Sequence, residues 1–268
     1  MFDKISVITP VHNAEKFLRE TIESMRAQEF QNFEWILVDD CSTDRSREII
    51  EESKKFFPDG QIKILSRDEN SGTASIPRNL AMKHVRGEFI TFLDHDDLLM
   101  KNSLSKLYRI AEENQADIVS TRKYHAYDGR RDSDGNLLTG ELSFEASRGL
   151  GKKLIEILTS NLHERIELFG TFEISWNIWG KLFRRKFLES NQITEFESIP
   201  FVDDLIFVFK CICQSKKYVE LNDSLYIYRL HPDATTHKIF DLKFFERVLN
   251  SNMRGLKSLE RFMNSIPY

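Results

Sequence analysis

Apolar and polar residues follow two rhythms along the first 120 residues. Short apolar runs rich in β-branched and aromatic residues predict strands: Ile5-Ser6-Val7-Ile8-Thr9-Pro10-Val11, Phe33-Glu34-Trp35-Ile36-Leu37-Val38, Ile62-Lys63-Ile64-Leu65, Glu88-Phe89-Ile90-Thr91-Phe92-Leu93 and Ala116-Asp117-Ile118-Val119-Ser120. Between them apolar positions recur at helical spacing, most plainly Ala14, Leu18, Ile22 and Met25 on one face. Helices are expected over residues 14–28, from the Ser42-Thr43-Asp44 cap to about 56, from Pro77 to about 87, and over 102–114. Strands alternating with helices at this spacing mean βαβ units, right-handed crossovers and a mostly parallel sheet.

The second half is less regular. Residues 124–151 turn polar, with Asp134-Gly135 the clearest turn signal, and are expected to form a hairpin tip or loop. A helix is expected over 152–162, a strand over 217–228 and a helix over 240–263. The last carries Phe244, Phe245, Val248 and Leu249 with basic residues between, a pattern that suits packing on the domain, a homodimer or a membrane surface. The expected division is 1–122 as the regular half of an α/β domain, 123–238 as the second half of the same domain, and 239–268 as a helical extension.

Carboxylates sit where strands end. Asp39-Asp40 closes the second strand, and Asp94-His95-Asp96-Asp97 closes the fourth. Ligands of open α/β sheets bind outside the carboxyl ends of the strands. Crowded carboxylates stay ionised only with a cation or hydrogen-bond donors beside them. Asp94, Asp96 and Asp97 are therefore candidate ligands for Mg²⁺ or Mn²⁺, both of which prefer hard oxygen ligands. The alternative at each station is turn and cap chemistry. Neither G-x-G-x-x-G after the first strand nor G-x-x-x-x-G-K-[ST] occurs, so neither a dinucleotide fingerprint nor a P-loop is present.

Composition narrows the field. The chain has 268 residues, 41% of them hydrophobic, enough for a substantial core. A net charge of −4 argues against a nucleic-acid partner. No apolar run reaches transmembrane length, and Met1-Phe2-Asp3-Lys4-Ile5-Ser6 lacks signal-peptide character. Cys41, Cys211 and Cys213 read as reduced thiols of a cytoplasmic protein, without the spacing of a zinc site.

Four motifs in order resemble family 2 glycosyltransferases of the GT-A fold. They are Ser6-Val7-Ile8-Thr9-Pro10-Val11-His12-Asn13, Leu37-Val38-Asp39-Asp40-Cys41-Ser42-Thr43-Asp44, Arg78-Asn79 with Gly87-Glu88-Phe89-Ile90, and Phe92-Leu93-Asp94-His95-Asp96-Asp97. The resemblance implies an inverting, metal-dependent transferase that moves a sugar from a nucleotide sugar, most often UDP-linked, to a hydroxyl of a saccharide or lipid-linked saccharide in bacterial surface polysaccharide synthesis. It implies that Asp40 contacts the base and that Asp94 with Asp96, or Asp97, holds the metal on the diphosphate. Thr9, Pro10, His12, Arg78 and His95 complete the implied nucleotide set, with His12 where the family often has Tyr. Phe201-Val202-Asp203-Asp204 resembles the family's acidic pair at the start of an acceptor-side helix, which implies Asp204 as general base and Asp203 as its support or substitute. Trp176-Asn177-Ile178-Trp179-Gly180-Lys181-Leu182 resembles a further family stretch, in which Trp176 and Trp179 are either an acceptor platform or core packing. Tyr226-Ile227-Tyr228-Arg229 resembles another, and Arg229, His231 and His237 become candidates for the diphosphate. The implied location is the cytoplasm, with a peripheral contact at the inner membrane face open. The competing readings are a non-catalytic binding module of the same fold and a nucleotidyltransferase.

Overall fold

β1 (Ile5–Val11) and β2 (Phe33–Asp39) are buried at every position. Strands covered on both faces lack the polar alternation of a half-exposed sheet, which is why their sequences read as continuous apolar runs. Alternate residues still separate by face. Val7, Trp35 and Leu37 join one core cluster with Leu18, Ile22, Ile49 and Leu104, whereas Ile8, Ile36 and Val38 join the other with Ala81, Phe92 and Phe207. The first cluster is covered by α1 (Leu18–Arg26), α2 (Ser46–Ser53) and α4 (Ser103–Glu113). The second is covered by α3 (Ser75–Met82) and α7 (Asp203–Gln214). The computed structural model describes residues 2–143, 155–157, 161–171, 174–232 and 242–266.

The remaining elements are β3 (Ile62–Ser66), β4 (Phe89–Phe92), β5 (Leu98–Leu99), β6 (Ile118–Arg131), β7 (Leu137–Ser143), β8 (Ile155–Ile157), α5 (Leu162–Gly170), β9 (Lys181–Arg184), α6 (Arg185–Ser190), β10 (Tyr218–Arg229) and α8 (Leu242–Ser265). One sheet runs β3-β2-β1-β4-β9-β6-β10-β5, with β7 on β6 and β8 on β10. β3, β2, β1 and β4 are parallel, as the alternating pattern predicts. β9 lies antiparallel to both β4 and β6, which adds a mixed half to the parallel one. Residue 122 falls inside β6, so a single sheet carries both expected halves.

Register places the site. Ile8 pairs with Ile36 and with Phe92, and Val11 pairs with Asp39. The residues just past β1, β2 and β4 therefore emerge side by side at one edge. Gly87 permits this pairing: a Cβ there would lie 2.5 Å from the Ser6 backbone nitrogen.

One expectation changes. Residues 155–157 form β8, paired with Val219–Leu221 of β10, and the helix begins only at Leu162, where the expected one ended. Short apolar stretches fit either element, and here pairing with β10 takes this one. The expected hairpin after Tyr124 is present: β6 continues to Arg131 and returns as β7, while residues 144–151 lie outside the described residues. The turn is held by Asp132, whose Oδ1 accepts from the backbone of Asp134 (2.9 Å) and Asn136 (2.8 Å), with Gly135 at φ 82°.

Candidate active site

A cavity of about 690 Å³ opens at the carboxyl edge of β1, β2 and β4. Pro10, His12, Asp40, Arg78, Asp94, His95 and Asp96 all line it. Its volume falls in the range of small-molecule and cofactor sites.

Asp40 is buried. Its Oδ2 accepts from the Ser71 amide (2.9 Å) and hydroxyl (2.6 Å). Arg67 Nε forms an ion pair with Oδ1 at 2.7 Å. The His12 ring is fixed by Nδ1 on the Asp40 carbonyl (2.9 Å) and by the Asn70 amide 2.6 Å from Nε2. Pro10 contributes its carbonyl, 3.1 Å from His95 Nδ1. Thr9 points the other way: it is wholly buried and its hydroxyl accepts from Trp35 Nε1 at 2.9 Å.

The three aspartates after β4 divide. Asp94 and Asp96 line the cavity, while Asp97 turns inward. Asp97 Oδ2 accepts from the Tyr226 hydroxyl and Oδ1 from the Arg229 amide, both at 2.7 Å. Burial, with repulsion from Asp96 and Asp94, pushes the Asp97 carboxyl well above the usual range. Asp96 behaves oppositely. Burial works against its ionisation, but the hydrogen bond from His231 and the fields of His95 and His231 prevail and hold it low. His231 Nε2 lies 2.9 Å from Asp96 Oδ2, and its ring leans on Phe17 with centroids 4.3 Å apart. Arg229 donates to the Asp96 carbonyl at 2.6 Å and to Glu20 at 2.6 Å, anchoring this loop to α1. His237 lies outside the described residues.

Arg78 joins the two acidic stations. It is 3% exposed, and its guanidinium donates to Asp94 Oδ1 (2.8 Å) and to Asp204 Oδ1 (2.6 Å). Burial disfavours its charge, but Asp204, Asp94 and Asp203 more than offset that and raise its pKa. Asp204 is pushed up to about 7, chiefly by burial and against the pull of Arg78, with Asp203 and Asp94 adding repulsion. Asp203, in the same first turn of α7, is raised for the same leading reason. Neither lines the cavity; Arg78 is their connection to it.

The tryptophans part company. Trp179 stacks on Tyr226 and Tyr228, with centroids 4.4 and 5.7 Å away, and packs on the core. Trp176 is 40% exposed on the loop that leads to Asn177 and Ile178. The backbone of Ile178, two residues on, faces Asp204 and favours its ionised form.

Sequence reasoning did not single out Arg67, Asn70, Ser71 or Tyr226. Asn70-Ser71-Gly72-Thr73 is a small polar loop between β3 and α3, where a sheet of this type gathers ligand contacts. Among the described residues no group of three or more His, Cys, Asp and Glu side chains is disposed as a metal cage. Asp94 and Asp96 line the same cavity, and two carboxylates are a donor set that would suit Mg²⁺ or Mn²⁺ with substrate phosphates completing the coordination.

The family model described as "Glycosyl transferase family 2" matches residues 6–177. GlyG, a glycosyltransferase of Streptococcus pneumoniae serotype 4, is 31% identical over 246 residues, 91% of this chain and 76% of its own. EpsJ of Bacillus subtilis, an uncharacterized glycosyltransferase, is 32% identical over 236 residues, 88% of this chain, and the chain spans 64% of its length. TarS of Staphylococcus aureus, a poly(ribitol-phosphate) beta-N-acetylglucosaminyltransferase, is 28% identical over 84% of this chain and 35% of its own. The crystal structure of TarS 1–349 with UDP-GlcNAc superposes with a TM-score of 0.71 at 23% identity, over 97% of this chain and 72% of that one, and so shares the fold.

Proposed function

The chain belongs to glycosyl transferase family 2, and from that premise we propose that it transfers a sugar from a UDP-linked donor to a hydroxyl of a surface saccharide or lipid-linked saccharide, inverting the anomeric centre. One observation carries the reading: a single cavity is lined by Asp40, Asp94 and Asp96 together, and by Arg78, which joins Asp94 to Asp204. Asp40 lines the cavity and is the carboxylate placed to accept from the imide N–H of uracil, and the fixed His12 ring suits its face. Pro10 and His95 shape the wall behind the nucleoside, and the role of Thr9 reduces to its backbone.

Asp204 removes the proton from the acceptor hydroxyl as the oxygen attacks the anomeric carbon. The anomeric carbon–oxygen bond to the diphosphate breaks on the opposite face, and its electron pair leaves with the nucleoside diphosphate. Arg78 holds Asp204 in place and supplies positive charge beside it. Asp94 and Asp96 would hold the Mg²⁺ or Mn²⁺ that neutralises the departing diphosphate, with His231 fixing the Asp96 rotamer and Asp97 buttressing the loop from within. Asp203 supports the base, and Trp176 offers an apolar face to the acceptor.

In this reading residues 1–122 hold the donor, 123–238 the acceptor, and 239–268 form an extension whose α8 packs on the second core cluster through Leu259, Phe262 and Met263 and leaves Leu249, Met253 and Leu256 exposed for a peripheral contact at the cytoplasmic membrane face or a homodimer partner. Among the described residues no helix is long and apolar enough to cross a membrane. The test is release of UDP from a panel of UDP-sugars, with UDP-GlcNAc first, supplied with bacterial wall saccharides. Acceptor-stimulated UDP release that Asp204→Asn abolishes, with UDP binding retained, supports the reading. Activity unaffected by that substitution would point to a binding module.

A further inference from the structure

Lys181 opens β9 and is wholly buried. Its Nζ donates to Ser175 Oγ at 2.6 Å and to the Asn177 carbonyl at 2.8 Å, two neutral oxygens. Burying an ammonium among neutral partners is unfavourable, so a lysine here needs a reason beyond packing. Burial pulls it down to about 7, and even the neutral amine keeps two N–H donors for its two acceptors. Both acceptors belong to one short loop. Ser175 and Asn177 are buried in that loop, Trp176 projects from it, and Ile178 is fully buried. Gly180 closes it at φ 71°, its carbonyl held by the Thr121 amide at 2.9 Å. A Cβ on Gly180 would meet the Thr121 hydroxyl at 2.8 Å. Ile178 is the residue whose backbone hydrogen-bonds to Asp204.

We propose that Lys181 is a positioning residue for the general base: from beneath the sheet it locks the 175–178 loop, and that loop holds the Ile178 N–H against the Asp204 carboxylate. The proposal rests on the assignment of Asp204 above. The groups that face Asp204 are Arg78 from α3, Asp94 from the loop after β4, Asp203 from its own helix and the Ile178 amide. Those that face Lys181 are Glu220 from β10, with Asp204 and Cys211 from α7. Losing the loop anchor removes one stabiliser of ionised Asp204 and leaves burial and two carboxylates to raise it further.

The test compares the intact chain with Lys181→Met and Ser175→Ala. Hydrogen–deuterium exchange is read on the 174–180 peptide, and the Asp204 carboxyl is titrated by ¹³C NMR, assigned by its absence in Asp204→Asn. Lys181→Met is expected to exchange this peptide at least about tenfold faster and to move the Asp204 midpoint upward, each unit of which lowers kcat for UDP-GlcNAc turnover about tenfold below that midpoint. UDP affinity should stay within about twofold, because the anchor is remote from the donor cavity. Ser175→Ala keeps the Asn177 contact and should fall between the two, and it decides the question by the same readouts if Lys181→Met does not fold. Unchanged exchange and titration overturn the proposal, as does a loss of kcat without movement of the Asp204 midpoint. A wild type that turns over no UDP-sugar would defeat the proposed function, while exchange and titration would still decide Lys181.

Discussion

Removing the Arg78 guanidinium should loosen the fold and disable the base together. In Arg78→Met the apolar part of the side chain keeps its place near Phe92 and Phe196, whose ring centroids lie 6.0 and 5.6 Å from the guanidinium carbon. What is lost is a pair of charge-assisted hydrogen bonds, to Asp94 and Asp204, of about 1.5–3 kcal/mol each. Truncating one partner of a buried ion pair costs about 3–5 kcal/mol. The Asp94 and Asp204 side chains keep 28% and 20% exposure, so solvent recovers part of the loss and the lower figure, about 3 kcal/mol, applies. For a chain of this size that is a fall in Tm of about 6–12 °C. The chemistry should suffer more. Asp204 already sits near 7 against the pull of Arg78, and without it burial, Asp203 and Asp94 are opposed only by the Ile178 backbone. The rising limb of the pH–rate profile should move up by about one unit or more. Arg78→Lys restores one charge but cannot bridge two carboxylates, and should recover about half of the stability. Thermal melts and pH–rate profiles of the three proteins settle it. A melting temperature within about 2 °C of wild type, with an unmoved limb, would refute the bridge.

Other outcomes follow from the same contacts. Turnover should rise with pH through about 7, because the base acts only when ionised and its folded pKa lies above the ordinary aspartate value; a profile flat from pH 5 to 9 would remove Asp204 from the role. Tyr226→Phe strands Asp97 Oδ2 without its donor and should lower stability by about 1–3 kcal/mol in urea unfolding, with little change in UDP affinity. Gly87→Ala drives a Cβ to 2.5 Å from the Ser6 nitrogen between β1 and β4 and should cost about 3 kcal/mol or more, read as loss of soluble folded protein or a large fall in Tm.

The parallel half of the fold was legible because β1, β2 and β4 are buried on both faces and announce themselves as unbroken apolar runs. The acidic stations were legible for the same reason, since a strand that ends in carboxylates can end only at an edge. The division of labour within Asp94-His95-Asp96-Asp97 was not. Which of these aspartates faces the cavity is decided by Tyr226 and Arg229, about 130 positions away on β10, whose donors capture Asp97. The place of Arg78 in the site comes from Asp204, which only the folded chain brings to it. Residues 152–162 carried an apolar rhythm compatible with a helix, and pairing with β10 drew Ile155–Ile157 into a strand. Thr9 looked like part of the motif lining the nucleotide, but strand alternation sends its side chain into the core beneath Trp35.

The central claim is that Asp40, Asp94 and Asp96 form one nucleotide-diphosphate site. Calorimetric titration of the chain with UDP, with and without Mn²⁺, tests it most directly. Binding should be strengthened by Mn²⁺, weakened in Asp40→Ala with or without the metal, and stripped of its metal dependence in Asp96→Ala. UDP binding indifferent to all three changes, or no binding of UDP under either condition, would contradict it.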